Sequence, residues 1–437
     1  MTRYIGMDVH KRQVEICMMD QKGKVLKRIR CACTREVLQK LAQRQFTKRD
    51  HVALETTTNA WAVADLIRPY VARVVVSNPV KTRIIAAAKI KTDKVDAEIL
   101  AQLLRCNYLP EVWAPDVPTR LLRRLCSRRG ALVADRIASK NRIQSLLGGL
   151  LIHAPMQDIF GPVGRSWLDT LDLQADHRMV LNLDLRLLEA VNREIELLDK
   201  QLKILAHHDH RVRLLVTLPG VDFTVAVAII AAIGDIARFR DGDHVAGYLG
   251  LVPSTRQSGD RCYHGPITKS GHSQARRMVI QAAHHLAKTH GPLGAFFRRI
   301  ARRKGPCVAV VAAARKMVTI AFLMLKRNEP YRYAMPLPTR GKLARLRIAA
   351  TGERRHAKPS LGKKGRSANY GSKVHQVNWP GLAEVYATEG LPPIITIASQ
   401  SAGERQFLDR ESLTAAVQKL QNPRQRIRKN GHLLPES

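Results

Sequence analysis

The stretch Tyr4-Ile5-Gly6-Met7-Asp8-Val9 decides how the chain begins to fold. It reads as a strand, and it is followed by an alternating run from Val14 to Met19, a turn at Gln21-Lys22-Gly23-Lys24 and a third run from Val25 to Cys31. Short apolar or alternating runs separated by turn chemistry predict a β-meander. Further along, Thr34 to Gln45 reads as a helix, His51 to Glu55 and Ala72 to Ser77 as buried strands, and Thr82 to Leu104 as one helix. Strands and helices in this order predict one α/β layer over residues 1–112.

From Pro118 the apolar period becomes helical, with Leu121, Leu125, Leu132, Ile137, Ile143 and Leu147 set among eight Lys or Arg and one Asp between Arg120 and Arg142. A second heptad-like run, Leu181 to Leu205, can pair with this basic helix antiparallel or with another subunit. Residues 113–210 are therefore expected to be a helical, coiled-coil linker with a role in oligomerisation. Arg120, Arg123, Arg124, Arg128 and Arg129 are its candidate nucleic-acid contacts, although plain helical packing with solvated charges produces the same pattern. Residues 211–330 read as a second, mostly helical globular unit, punctuated at Pro219-Gly220, Gly234, Gly247 to Pro253, Gly259, Gly265 and Gly271. After Pro330 the texture changes: residues 331–373 hold twelve Lys or Arg against one Glu and show little apolar periodicity. They read as the mobile basic part of a C-terminal extension over 331–437.

The 437 residues carry 73 Lys and Arg against 36 Asp and Glu, a formal net charge of +37. Such an imbalance points to a polyanionic partner, nucleic acid before a membrane surface. Aromatic residues make up only 5%, so contacts should rest on phosphates and shape more than on base stacking. Charges interrupt Tyr4 to Cys17 where a signal core would run, and Pro306 to Leu325 is broken by Arg315 and Lys316, so a cytoplasmic protein with no membrane helix is expected. The seven cysteines form no CxxC pair, which predicts reduced, mostly buried thiols rather than a zinc knuckle or a disulfide framework. His207, His208 and His210 cluster where a helix should end, a place for capping or exposed roles more than for metal ligation.

Four acids stand out. Asp8 lies inside the first strand, where a carboxylate is costly unless it is paired or binds metal. Glu55 ends the buried run HVALE, and KTDKVDAEIL places Asp93 and Asp96 at i, i+3 on one helix face. Carboxylates converging from two strands and a helix suit Mg²⁺ and a phosphodiester-processing site. The order resembles the ribonuclease-H-like fold of Holliday-junction resolvases, whose acids form a D-E-D-D set.

Downstream come LPGVDFTVAVAIIAAIGDIARF, GYLGLVPSTRQSGD and GPITKSGHSQARRM, from Leu218 to Met278. Together with the four acids they resemble the insertion-sequence 110/1111 family of transposases, the bridge-RNA-guided recombinases, over approximately residues 3–330. The resemblance implies a serine nucleophile at Ser258, beside the turn glycine Gly259, with Arg256, Arg261, Lys269, Arg276 and Arg277 as a phosphate clamp. Ser270 and His272 depart from the family's pattern around the Lys-x-Gly turn, and Ser254, Ser270 and Ser273 stay as rival nucleophiles. Donor and target DNA, a structured guide RNA, Mg²⁺ and a dimeric or tetrameric homo-oligomer are further implications. Two other readings remain: a metal-dependent junction nuclease in which water attacks, and a nucleic-acid scaffold without catalysis.

Overall fold

The structure, a computed structural model, describes residues 1–85, 92–355, 374–421, 424–429 and 432–433. The chain divides into two compact units, Met1–Pro115 and Asp116–Ser437.

The first unit holds β1 (Arg3–Val9), β2 (Gln13–Met19), β3 (Val25–Ala32), α1 (Arg35–Gln45), β4 (Asp50–Glu55), α2 (Ala60–Ile67), β5 (Arg73–Ser77), α3 (Pro79–Ile85) and α4 (Asp93–Arg105). Its five strands are ordered β3-β2-β1-β4-β5, the meander antiparallel and β1, β4 and β5 mutually parallel. Strand alternation sorts the side chains onto two faces. Ile5, Met7, Val9, Val14, Ile16, Met18, Val52 and Leu54 bury themselves against Leu38 and Ala42 of α1 and Ala60, Val63, Ala64 and Ile67 of α2. The other face, with Ala53 and Val75, packs on Leu100 and Leu104 of α4. A buried fork fixes the parallel register: Arg3 Nε and Nη2 donate to Asp50 Oδ1 and Oδ2 at 2.9 and 2.6 Å.

One expectation is corrected here. The single helix expected from Thr82 to Leu104 is two, because Thr92 has extended backbone and its hydroxyl accepts from Val95 N at 3.3 Å, which starts α4 afresh. Residues 86–91 of that expected helix lie outside the described residues.

The second unit comprises α5 (Val117–Gly149), α6 (Pro162–Thr170), α7 (Ala175–His208), α8 (His210–Val216), α9 (Phe223–Ile233), α10 (Gly242–Tyr248), β6 (Pro253–Ser258), β7 (Arg261–Ile267), α11 (Ser273–His284), α12 (Pro292–Lys304), α13 (Pro306–Arg327), α14 (Pro336–Thr351), β8 (Val374–Trp379), α15 (Leu382–Thr388), α16 (Ala402–Arg410), α17 (Thr414–Gln421), β9 (Arg424–Lys429) and β10 (His432–Leu433). The two long helices run antiparallel: Arg129 pairs with Asp199 and Arg142 with Asp184, so positions that rise along α5 fall along α7. Leu181, Leu185, Leu188, Val191, Ile195 and Leu202 make the buried stripe of α7. Helix α9 is apolar all round and buried from Val225 to Ile233, as befits a central core helix. Helix α13, packed on α10, α11 and α12, is long and apolar enough by composition to cross a membrane. Its Ala309, Ala313, Met317, Val318, Ala321 and Phe322 belong to the core of this unit.

Over residues 331–355 the structure differs from the basic, mobile reading, and residues 356–373 of that reading lie outside the described residues. Tyr331, Tyr333, Leu343 and Leu346 enter the same core, together with Leu382, Val385 and Tyr386 of α15. The charges of α14 concealed its packing, because two of them turn inward. Lys342 Nζ donates to main-chain carbonyls, and Arg347 forms a buried pair with Glu389 at 3.1 Å. The thiols also depart from expectation: only Cys17 and Cys126 are buried, whereas Cys106, Cys262 and Cys307 are exposed.

Candidate active site

The C-terminal end of β1 carries Asp8 on the α4 side of the sheet, the side that Gly6 also faces. Register supplies its neighbours. Asp8 stands opposite Glu15 of β2, and on the parallel side Met7 pairs with Leu54, so the next step sets Glu55 of β4 alongside Asp8. Paired positions in a sheet share a face. Helix α4 adds Asp93 and Asp96 in its first turn, where the helix dipole favours negative charge.

Between the acids sits His10. Its Nε2 lies 3.0 Å from Asp8 Oδ2 and 3.3 Å from Asp93 Oδ1, and the three donor groups offer ligand atoms all within 4.8 Å of one another. Asn59 Nδ2 donates to the His10 carbonyl at 3.1 Å, and His10 N donates to Gln13 O at 3.0 Å, which holds the turn that aims the ring. Burial raises the Asp8 carboxyl above the usual aspartate range; His10 opposes this, and the charges of Asp93 and Asp96 add to it. For His10, burial works against the imidazolium, but the carboxylates of Asp8 and Asp93 outweigh it and raise the group. Asp8 and Asp93 thus share one imidazole between them. The structure brings Asp8, His10 and Asp93 into contact range, lets Asp96 act on Asp8 through its charge, and sets Glu55 on the adjoining strand.

Close helix–strand approach makes the cluster possible. An ideal Cβ on Gly6 would lie 1.9 Å from Ala97 O and 2.6 Å from Ala101 N. Gly6→Ala is therefore expected to push α4 off β1, cost about 1–3 kcal/mol of stability and part Asp93 and Asp96 from Asp8. Thermal melting and a recombination assay check this, and a variant with normal activity would show that the close approach is dispensable.

In the second unit Ser258 closes β6. It is exposed, and it lies on a two-stranded hairpin rather than in a loop. Gly259, with φ +56°, makes the tight turn. The register pairs Ser258 with Arg261 and Arg256 with Tyr263, so these four side chains share one face of the ribbon. Ser254 donates to Pro266 O at 3.1 Å, Ser270 Oγ lies 3.2 Å from Thr268 Oγ1, and Ser273 opens α11. Of the expected clamp, Arg256, Arg261, Lys269 and Arg277 are exposed, as are Arg124 and Arg128 on α5, and Arg120 is half-buried. Three others are occupied inside the protein. Arg123 donates to Ala231 O and Ala232 O at 2.7 and 3.0 Å, and Arg129 is forked onto Asp199. Arg276 Nη1 donates to Leu249 O at 3.0 Å and to Ser270 O at 2.9 Å. Unpaired carbonyls at helix and turn ends draw Arg123 and Arg276 inward, and the Asp199 carboxylate draws Arg129.

Both regions match family models. A transposase model of the DEDD, IS110 type covers residues 5–152, and a model described as the transposase IS116/IS110/IS902 family covers residues 212–298. The chain belongs to this transposase family. The transposase for insertion sequence element IS1111A of Coxiella burnetii is 25% identical over 351 residues, spanning 76% of this chain and 91% of that protein. A pilin gene-inverting protein of Moraxella bovis is 24% identical over 343 residues, 75% of this chain and 97% of its own. The transposase regions matched hold all four acids and Ser258, whereas residues 299–437 of the transposase lie outside both models.

Sequence reasoning missed His10 and Glu15. His10 follows Asp8 at i, i+2 in GMDVHK, the spacing that returns to one face of a strand. Glu15 is 5% exposed and ion-paired with Arg30 at 3.1 Å; only the hairpin register reveals that it faces Asp8.

Proposed function

We propose that this transposase cuts and rejoins donor and target DNA through Ser258, assisted by Mg²⁺ held by Asp8, Glu55, Asp93 and Asp96, and directed by a structured RNA made by its element. It does so in the cytoplasm as a dimer or tetramer. The observation that carries this reading is the meeting of Asp8 and Asp93 from separate elements, around one histidine, at the end of the central strand. The order β3-β2-β1-β4-β5, with acids on β1, β4 and α4, supports a ribonuclease-H-like reading of the first unit.

The donor set fits a hard divalent cation. Its ligands are carboxylates, and Asp8, raised first by burial and further by the charges of Asp93 and Asp96, is a carboxylate whose ionised form a bound cation would stabilise. When bound, such an ion supplies Lewis-acid stabilisation of a phosphate in transfer. The chain's own residues do the rest. Ser258 Oγ attacks phosphorus and passes its proton to a base; the bond to one sugar oxygen breaks, and that oxygen takes up a proton. The product is a phosphoserine diester, so the phosphodiester count is conserved and a second sugar hydroxyl can reverse the step and rejoin DNA. Arg256 and Arg261, on the same ribbon face, neutralise the phosphate oxygens. Chemistry requires the acids and the serine to meet on one phosphate, from one chain or from two. Val180, Leu183 and Leu187 form an exposed apolar stripe on α7, which supports self-association.

Denaturing electrophoresis with labelled DNA, guide RNA and Mg²⁺ tests this reading: a covalent protein–DNA adduct is expected. RNA guidance is tested by sequencing RNA that copurifies from cells carrying the element. Nucleic-acid affinity is also expected to fall about 10³-fold or more between roughly 50 and 200 mM salt, because each neutralised phosphate releases counterions. A flat salt dependence would mean that the +37 charge is not the binding surface.

A further inference from the structure

The turn between α8 and α9 aims three main-chain carbonyls at one point, and the chain places a cation there. Lys342 Nζ lies 2.6 Å from Val216 O, 2.7 Å from Val221 O and 3.0 Å from Leu218 O. Each ammonium hydrogen thus has an acceptor. Local geometry presents these oxygens: Val216 ends α8, where helix carbonyls run out of amide partners. Gly220, at φ +75°, then folds the chain back on itself. Burial lowers Lys342 to about 8, against the pull of Asp222, while three carbonyl acceptors match the three hydrogens of the protonated amine.

Neutral carbonyl oxygens in place of a hydration shell are the ligands of a monovalent ion such as K⁺. A divalent ion asks for charged oxygens and sheds its water reluctantly. We propose that the turn Val216–Val221 is a monovalent-cation site, suited to K⁺ or NH₄⁺, which this chain fills from within using the ammonium of Lys342. A cavity of about 240 Å³ adjoins it, lined among others by Asp222, His285, Thr289 and Thr339. Shortening the lysine opens the cage to an ion arriving through that space.

The site matters because of what leans on the turn. An ideal Cβ on Gly220 would lie 2.3 Å from Ala282 O, so the turn is pressed against α11. From α11, Arg276 holds the carbonyls of Leu249 and Ser270. At the foot of the β6–β7 hairpin, Thr268 N and Lys269 N donate to Val252 O and Gly250 O at 2.9 and 3.2 Å. Lys342, outside both matched regions, is therefore a positioning residue for the base of the ribbon that carries Ser258.

Lys342→Ala in the full-length protein, melted at equal ionic strength in choline, Na⁺, K⁺ and NH₄⁺ chlorides, tests the proposal. The variant is expected to melt several degrees below wild type in choline and to recover most of the loss, saturably, in K⁺ or NH₄⁺, while wild type stays indifferent to the cation. Crystals of the variant soaked in Rb⁺ should show anomalous scattering among the three carbonyls. Lys342→Met, which keeps the volume without charge, should be destabilised and rescued by no salt. An alanine variant that melts alike in every salt, stays unfolded in every salt, or leaves the carbonyls without Rb⁺ overturns the proposal, as does a methionine variant as stable as wild type.

Discussion

Asp8→Ala is expected to abolish recombination, by about 10³-fold or more, while DNA and RNA affinity stay near wild type. The magnitude follows from several kcal/mol of transition-state charge stabilisation resting on the ion that this carboxylate helps to hold. Stability should move the other way. Burial and the charges of Asp93 and Asp96 raise the Asp8 carboxyl above its unfolded value, so the folded state binds its proton more readily. The stability linked to this group is then present below the unfolded value and is lost as pH rises from the unfolded pKa through the folded one. Asp8→Asn removes that cost and should melt at or above wild type while remaining inactive. Mg²⁺ should raise the wild-type melting temperature through binding to the folded state and leave that of Asp8→Asn nearly unchanged. An inactive but stable protein that no longer answers to Mg²⁺ marks a site kept for chemistry. Recombination by Asp8→Ala, or a loss of RNA affinity in it, would remove the first unit from the mechanism.

The acids could be read from the chain because each breaks a pattern. Asp8 interrupts Ile5, Met7 and Val9 with a carboxylate towards the end of a strand whose middle is apolar or glycine, and desolvation makes that expensive enough to need a reason. Asp93 and Asp96 share a helix face at a spacing visible on the page. What could not be read lies across the chain rather than along it. Glu15 meets Asp8 only through the hairpin register, and His10 becomes a partner of Asp93 only when α4 docks. The same blindness explains the arginines. Composition counts the charges of Arg123, Arg129 and Arg276 but cannot see the carbonyls and the aspartate that claim them. It also explains α14, where Lys342 and Arg347 point into the protein and mask the Leu343 and Leu346 stripe. The β6–β7 ribbon escaped notice for a different reason. Both of its faces are polar and largely exposed, so no apolar alternation betrays the strands.

Ser258→Ala is expected to eliminate both the covalent adduct and recombination, a loss on the order of 10⁴-fold or more where a nucleophile is removed. Folding should not be the cause. Ser258 is exposed at the end of β6, and removing a surface hydroxyl usually shifts stability by no more than about 0.5 kcal/mol. Mg²⁺ binding should likewise survive, since the acids belong to the other unit. Ser258→Cys should retain a trace of adduct, because a thiolate is nucleophilic but differs in size and basicity. The rivals supply controls. Ser254 is engaged by Pro266 O across the ribbon and Ser270 is within reach of Thr268, so Ser270→Ala should keep its adduct. Arg256→Ala and Arg261→Ala, which strip the phosphate clamp from the same ribbon face, should slow adduct formation without abolishing it. The decisive result is denaturing electrophoresis with labelled target DNA, guide RNA and Mg²⁺. If wild-type protein recombines DNA but no serine-linked species can be trapped, and Ser258→Ala stays active, then water attacks at the acids of the first unit. The hairpin would then bind DNA without reacting with it, and the enzyme would work as a metal-dependent nuclease.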